Sequence, residues 1–210
     1  MEYRRVILKM DTISDNNRTP AETPVKAPEL LIWVNEKNEV IGYGEKLDTH
    51  IRGQLHRAFS IFIYDPERRA LLLQKRAKGK YHSGGLWSNS GCSHPRKGET
   101  WSQSLSRCLQ EELGLDFPVV PDLSGSPEHD FTLAGEFQYY SHYGELAEHE
   151  WDYVFLCRRA ISDEQIILNH DEAEDSMWIS PAKLDRWLDE RPEDFTSWFA
   201  MAYQLIKKLI

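Results

Sequence analysis

The chain has 210 residues, 40% of them hydrophobic, and carries a net charge of −9 at pH 7. That length and apolar content suit one well-formed core rather than two. The acidic balance argues against broad contact with nucleic acid or an anionic membrane, which need positive potential over an extended face, so an anionic substrate must be drawn in by local cations.

In chain order, the opening run MEYRRVILKM holds no apolar stretch of signal or membrane-spanning length. Asp11 to Pro28 is polar and Pro-bearing and can bury too little surface to offset the cost of ordering. Residues 1–28 are therefore expected to be a flexible tail and residues 29–210 a single domain. Strand-like runs follow: LLIWV from Leu30, VIGY from Val40, then AFSIFIY from Ala58 and ALLLQK from Ala70 on either side of the turn Asp65-Pro66-Glu67. The clearest helix spans Thr100 to Leu113, where Trp101, Leu105, Cys108, Leu109 and Leu113 share one face and Gly114 stands ready to end it. FQYY from Phe137, WDYVFLC from Trp151 and MWI from Met177 look like further strands. Ser180-Pro181 opens a helix carrying Leu184, Trp187 and Leu188, and a last amphipathic helix runs from about Thr196 to the C-terminus. This irregular alternation favours a mixed α/β or α+β fold over a doubly wound parallel one. Cys92, Cys108 and Cys157 lie far apart and form no short paired spacing, so a soluble protein of the reducing cytoplasm is expected.

Several carboxylates gather around the Thr100–Leu113 helix, a distribution that suits a hard divalent cation whose oxygen ligands hold a diphosphate. The plainer reading is a solvated face with one salt bridge, Arg107 standing one turn before Glu111. The spacing of Ser93, Glu99, Arg107, Cys108, Leu109, Glu111, Glu112, Gly114 and Leu115 resembles the signature of the Nudix family. The resemblance implies a Nudix fold, a mixed sheet sandwiched between helices. Ser93 replaces the leading glycine, and Cys108 replaces a glutamate that many Nudix hydrolases use in metal-assisted attack by water.

The loop WSNSGCSHP, Trp87 to Pro95, resembles the Trp-x-Asn-x-x-Cys-x-His-Pro run of the isopentenyl diphosphate isomerase branch of that family. The resemblance implies that Cys92 is catalytic, although a lone cysteine is more often a small buried hydrophobe. It further implies a metal site for Mn2+, Mg2+ or Zn2+ formed by His50, His56, His94, Glu148 and Glu150. The two glutamates are spaced to share one side of a strand, with His149 facing away. A Mg2+ ion on Glu112 and the Cys92 carbonyl would hold the diphosphate, and Lys46, Arg76 and Lys80 would neutralise it.

Shifting an unactivated double bond means adding a proton at one carbon and removing one two carbons away, through a tertiary carbocation that water would capture. Glu150 with Tyr139 is expected to serve one side and Cys92 the other. Trp198 is expected to stabilise the cation through its ring face, with Trp87 as a second candidate. The expected partner is a small prenyl diphosphate, met by a monomer or weak homodimer, without nucleic acid or membrane. Two rivals stand beside this reading: a Nudix pyrophosphohydrolase acting on a nucleoside or sugar diphosphate, which has little use for Cys92 or the histidines, and a diphosphate-binding module without turnover.

Overall fold

The strongly apolar run at AFSIFIY lies at the centre of the molecule because it is buried on both sides. The computed structural model describes residues 29–126 and 129–210, and the tail expected over residues 1–28 lies outside them. Among the described residues the chain forms strands β1 (Leu30–Val34), β2 (Val40–Glu45), β3 (His56–Asp65), β4 (Ala70–Arg76), β5 (Trp87–Ser88), β6 (Gly91–Ser93), β7 (Phe131–Tyr143), β8 (Leu146–Arg158) and β9 (Ala173–Ile179). The helices are α1 (Lys46–Arg52), α2 (Trp101–Leu113), α3 (Pro181–Glu190) and α4 (Phe199–Ile206). All the strands join one mixed sheet around β3, which pairs antiparallel with β1, β4 and β6 and parallel with β8.

Side chains alternate across β3, so Phe59, Ile61 and Ile63 meet Leu105, Cys108, Leu109 and Leu113 of α2 on one face. On the other, Phe62 packs with Val154 and Leu156 against Leu184 of α3 and Phe199, Tyr203 and Ile206 of α4. The sheet is therefore sandwiched between helices. Each face buries apolar surface worth about 25 cal/mol per Å2 removed from water. α2 begins where Thr100 and Gln103 form a capping box and ends at Gly114, whose φ of 66° is left-handed. A Cβ at Gly114 would also lie 2.8 Å from Ile167 Cβ, so both backbone and packing require glycine there.

The structure departs from the sequence expectation in instructive places. β7 and β8 are 13 residues each, far longer than FQYY and WDYVFLC, since β7 begins already at Phe131, paired with Cys157, and the hairpin end carries polar pairs such as Ser141↔Glu148. α1 was not expected, since its apolar Leu47 and Ile51 are exposed while Thr49 and His50 are buried, the reverse of an amphipathic pattern. The signature loop folds partly into β5 and β6, and α4 starts only at Phe199 because Phe195 bridges Trp87 as a strand would, with the Thr196 N–H donating to the Trp87 carbonyl at 3.0 Å. No helix among the described residues is long and apolar enough to cross a membrane.

Candidate active site

Strand register assembles the site. The parallel pairing of β3 with β8 sets His56 beside Glu150, the β7–β8 hairpin sets Tyr139 opposite Glu150, and β6 sets Cys92 opposite Ser60. Because side chains alternate along a strand, Glu148, Glu150 and Asp152 all point to one face of β8. They open into a cavity of about 310 Å3 that Cys92, Glu112, Tyr139 and Trp198 also line. Lys46, Arg76 and Lys80 line it too, supplying the cations that an acidic protein needs to receive an anion.

His50 arrives from α1 and His94 from the turn after β6. With His56 and Glu150 they offer four ligand atoms within 4.8 Å of one another, all on buried residues. The His50 Nδ1–H donates to the Lys46 carbonyl at 2.6 Å and the His56 Nδ1–H to the Gln54 carbonyl at 2.7 Å, leaving both Nε2 lone pairs free. Both Nε2 atoms are buried without a hydrogen-bond partner, a costly arrangement for polar atoms unless something binds there. Burial, reinforced by the neighbouring His56, lowers His50 to about 4, and burial holds His94 well below its ordinary value, so both are neutral donors at pH 7. Burial would raise Glu150, but the imidazoles beside it, His56 at 3.6 Å and His94 hydrogen-bonded at 2.9 Å, hold its carboxyl well below the usual range. Three imidazoles and a carboxylate fit a divalent transition metal or Mg2+.

Glu148 stands beside this cluster rather than in it. Its Oε1 lies 2.7 Å from His82 Nε2 and its Oε2 accepts the Tyr139 hydroxyl at 3.0 Å, while that same hydroxyl reaches Glu150 Oε2 at 2.7 Å. Burial and the adjacent Glu150 push Glu148 up to about 8. α2 braces the cluster from behind. Arg107 makes two bonds to Glu99, at 2.8 and 2.9 Å, and its Nη2 donates to the His94 carbonyl at 3.0 Å. The arginine and the leading glutamate of the Nudix pattern thus hold a histidine of the cluster in place.

Cys92 is half-buried, and Arg76 Nη1 lies 3.5 Å from its sulfur. Burial pushes the Cys92 thiol up, opposed by the Arg76 guanidinium and assisted by the surrounding carboxylates. Arg76 also sits 5.4 Å from the Trp198 ring, whose indole borders the cavity. Glu112 is buried and accepts from Gln74 Nε2 at 2.6 Å, and the Cys108 thiol points to its other oxygen at 3.3 Å. Burial raises Glu112, and the Gln74 Oε1 nearby has no partner, so oxygen donors suited to a hard cation gather here. Lys80 is already paired with Glu172, and Lys46 Nζ lies 6.0 Å from the Tyr81 ring.

Three buried side chains of this site escaped the sequence. His82 sits in a Gly- and Ser-rich loop where nothing distinguishes it. Asp152 continues the Glu148–Glu150 alternation by one more step, a signal that was available. Gln74 looked like an ordinary strand residue. Trp87, the second aromatic candidate, is packed in the α3–α4 core, 5.8 Å from the Trp187 ring, and does not line the cavity. His149 turns outward as expected, its Nδ1 at 3.0 Å from the Gly53 carbonyl.

The sequence profile of the NUDIX domain matches residues 54–199. Among solved structures, DR0079 from Deinococcus radiodurans superposes with a TM-score of 0.60, covering 85% of this chain and 98% of that one at 17% identity. A MutT protein from Methanosarcina mazei Go1 gives 0.54, covering 73% and 94% at 16% identity. The chain is thus a Nudix protein in fold. Its sequence relatives narrow the class. It is 41% identical to isopentenyl-diphosphate Delta-isomerase 2 of Aromatoleum aromaticum, covering 82% of this chain and 83% of that one. It is 39% identical to isopentenyl-diphosphate Delta-isomerase 2 of Photorhabdus laumondii, covering 86% and 96%. It is 37% identical to the isopentenyl-diphosphate Delta-isomerase of Photobacterium profundum, covering 85% and 94%. The chain belongs to the isopentenyl-diphosphate Delta-isomerase family within the Nudix superfamily.

Proposed function

We propose that this protein converts isopentenyl diphosphate into dimethylallyl diphosphate by adding a proton to the terminal methylene and removing one from the carbon two positions away. The observation that carries the reading is the meeting of Cys92, Tyr139, Glu150 and Trp198 on one cavity beside the imidazole cluster. The Tyr139–Glu150 pair serves one end of the double bond. Tyr139 keeps its proton because burial and the two carboxylates raise it well above its ordinary value, and its hydroxyl and Glu150 Oε2 share a proton over 2.7 Å. Cys92 Sγ takes the proton from the other carbon as a thiolate, with Arg76 as its counter-charge, and in the reverse direction the two ends exchange roles. Trp198 turns its ring to the tertiary cation, and the buried walls keep water from capturing it.

His50, His56, His94 and Glu150, with Glu148 adjoining, would hold Mn2+, Mg2+ or Zn2+, and Glu112 with the Cys92 carbonyl would hold the Mg2+ of the diphosphate. Bound there, these ions supply positive charge that neutralises the buried carboxylates and anchors the phosphates. Arg76, Lys46 and Lys80 complete the anion site, Lys80 by exchanging Glu172 for phosphate. The activity resides in one domain over residues 29–210, acting as a monomer or weak homodimer. Three free cysteines support a reducing, cytoplasmic setting. The hydrolase reading is disfavoured by Cys108, a buried thiol where metal-assisted hydrolysis uses a carboxylate.

The test is incubation with isopentenyl diphosphate and Mg2+ in heavy water, followed by NMR. Deuterated dimethylallyl diphosphate is expected; release of free phosphate with no isomer would establish the hydrolase instead.

A further inference from the structure

Asn89, in the middle of the signature run, is fully buried and uses every hydrogen-bonding position it has. Its Nδ2 donates to the Gly91 carbonyl at 2.5 Å and to the Ile61 carbonyl at 3.3 Å. Its Oδ1 accepts the Ser88 hydroxyl at 3.0 Å and the Trp198 indole N–H at 3.0 Å. Two carbonyls on one side and two donors on the other fix which end of the amide is oxygen. No other side chain serves all four. Aspartate lacks the two donors, leucine lacks everything, and glutamine is one methylene too long.

The partners belong to three parts of the chain that meet only after folding. Ile61 is on the central strand β3, Gly91 immediately precedes Cys92, and Trp198 is the residue before α4. One amide therefore ties the strand carrying the thiol to the indole that borders the cavity. The Trp198 ring is 3% exposed, lies 6.2 Å from the Tyr139 ring and 6.0 Å from the His82 ring, and its N–H has this single hydrogen bond. Without that bond the polar edge of the indole loses its fixed direction, and a buried N–H is left unsatisfied.

We infer that Asn89 is a positioning residue of the isomerisation, one that holds the Trp198 ring and the Cys92 strand in a common frame so that ring face and thiol address the same intermediate. The inference rests on the function proposed above. It predicts that misplacing the ring by a fraction of a bond length costs turnover rather than binding, because Asn89 bonds to none of the cations assigned to the diphosphate, Arg76, Lys46 and Lys80.

A double-mutant cycle with isopentenyl diphosphate tests it. Asn89→Ala is expected to lower kcat by about 100-fold with KM changed by less than about threefold, the scale of a misplaced reacting group. In a Trp198→Phe background, which keeps an aromatic ring but has no N–H to hold, the same substitution should cost clearly less, about 10-fold or under, the remainder being its hold on Gly91 and Ile61. Equal losses in both backgrounds would show that Asn89 acts independently of the indole and would overturn the inference. A measurement on the unaltered protein guards against an Asn89→Ala variant that fails to fold. The Trp198 indole N–H signal, assigned by its loss in Trp198→Phe, should exchange slowly with heavy water, and rapid exchange would overturn the inference equally. A wild-type protein that does not isomerise the substrate would instead refute the proposed function, while the exchange measurement would still judge the Asn89–Trp198 bond.

Discussion

Tyr139 and Glu150 face one another across β7 and β8, and the tyrosine hydroxyl donates to Glu150 Oε2 at 2.7 Å while also meeting Glu148 Oε2 at 3.0 Å. A single O–H thus lies between two buried carboxylates, one of them part of the imidazole cluster. Replacing Tyr139 by Phe removes that proton and leaves the ring. The expected outcome is a fall in kcat of about 10²- to 10³-fold, the usual worth of a positioned acid–base group, with metal content unchanged by elemental analysis. A kcat within about twofold of wild type would remove Tyr139 from the proton path.

Arg76 offsets burial at Cys92. Without the guanidinium the thiol loses its nearest positive charge, so its pKa rises further and less thiolate exists at any given pH. In Arg76→Leu the rate of Cys92 alkylation by iodoacetamide, followed by mass spectrometry, should be lower at neutral pH, and its pH profile should move to higher pH. Cys108 and Cys157, both buried, serve as internal controls. An unchanged profile would separate Arg76 from the thiol.

The imidazole cluster leaves two buried nitrogens unsatisfied, so a bound divalent ion should stabilise the folded protein by mass action. Chelation is expected to lower the thermal midpoint, and Mn2+, Mg2+ or Zn2+ to restore it. His50→Ala should reduce the metal content and weaken that response. Full metal retention in His50→Ala would take His50 off the ligand set.

Acid should loosen the brace behind His94. Burial alone would raise Glu99, but two bonds from Arg107, the Arg96 backbone N–H and the Ser104 hydroxyl together lower it to about 2. A carboxyl depressed in the folded state contributes stability that is present above its unfolded value of 4.5 and lost as pH falls toward 2. After allowance for solvent screening this is on the order of 1–2 kcal/mol. In denaturant titrations the stability gap between wild type and Glu99→Gln should be widest at pH 6–7 and shrink steadily below about pH 4.5. A gap that stays constant with pH would mean that the Arg107 bridge adds nothing.

The fold class and the main helix were legible because they depend on local pattern. The apolar spacing of α2 and Gly114 behind it needs no distant contact to be recognised. The long β7–β8 hairpin was visible only in part because Glu148, His149 and Glu150 interrupt its apolar alternation, the two glutamates because they line the cavity and His149 because it faces outward to the Gly53 carbonyl. α1 was missed for a similar reason, since what it buries is His50 and not its leucine or isoleucine.

The linear order of residues was enough to supply the reactive inventory: Cys92, the three histidines, the paired glutamates and the motif that points to their family. It could not fix which of them touch. Glu148 bonding to His82, Arg107 gripping His94 and Asn89 joining Gly91 to Trp198 each link residues between 2 and 109 positions apart. Such contacts are set by strand register and by helices packing on opposite faces of the sheet. Side-chain type decides what chemistry is available, and only the packed backbone decides the distances over which it acts.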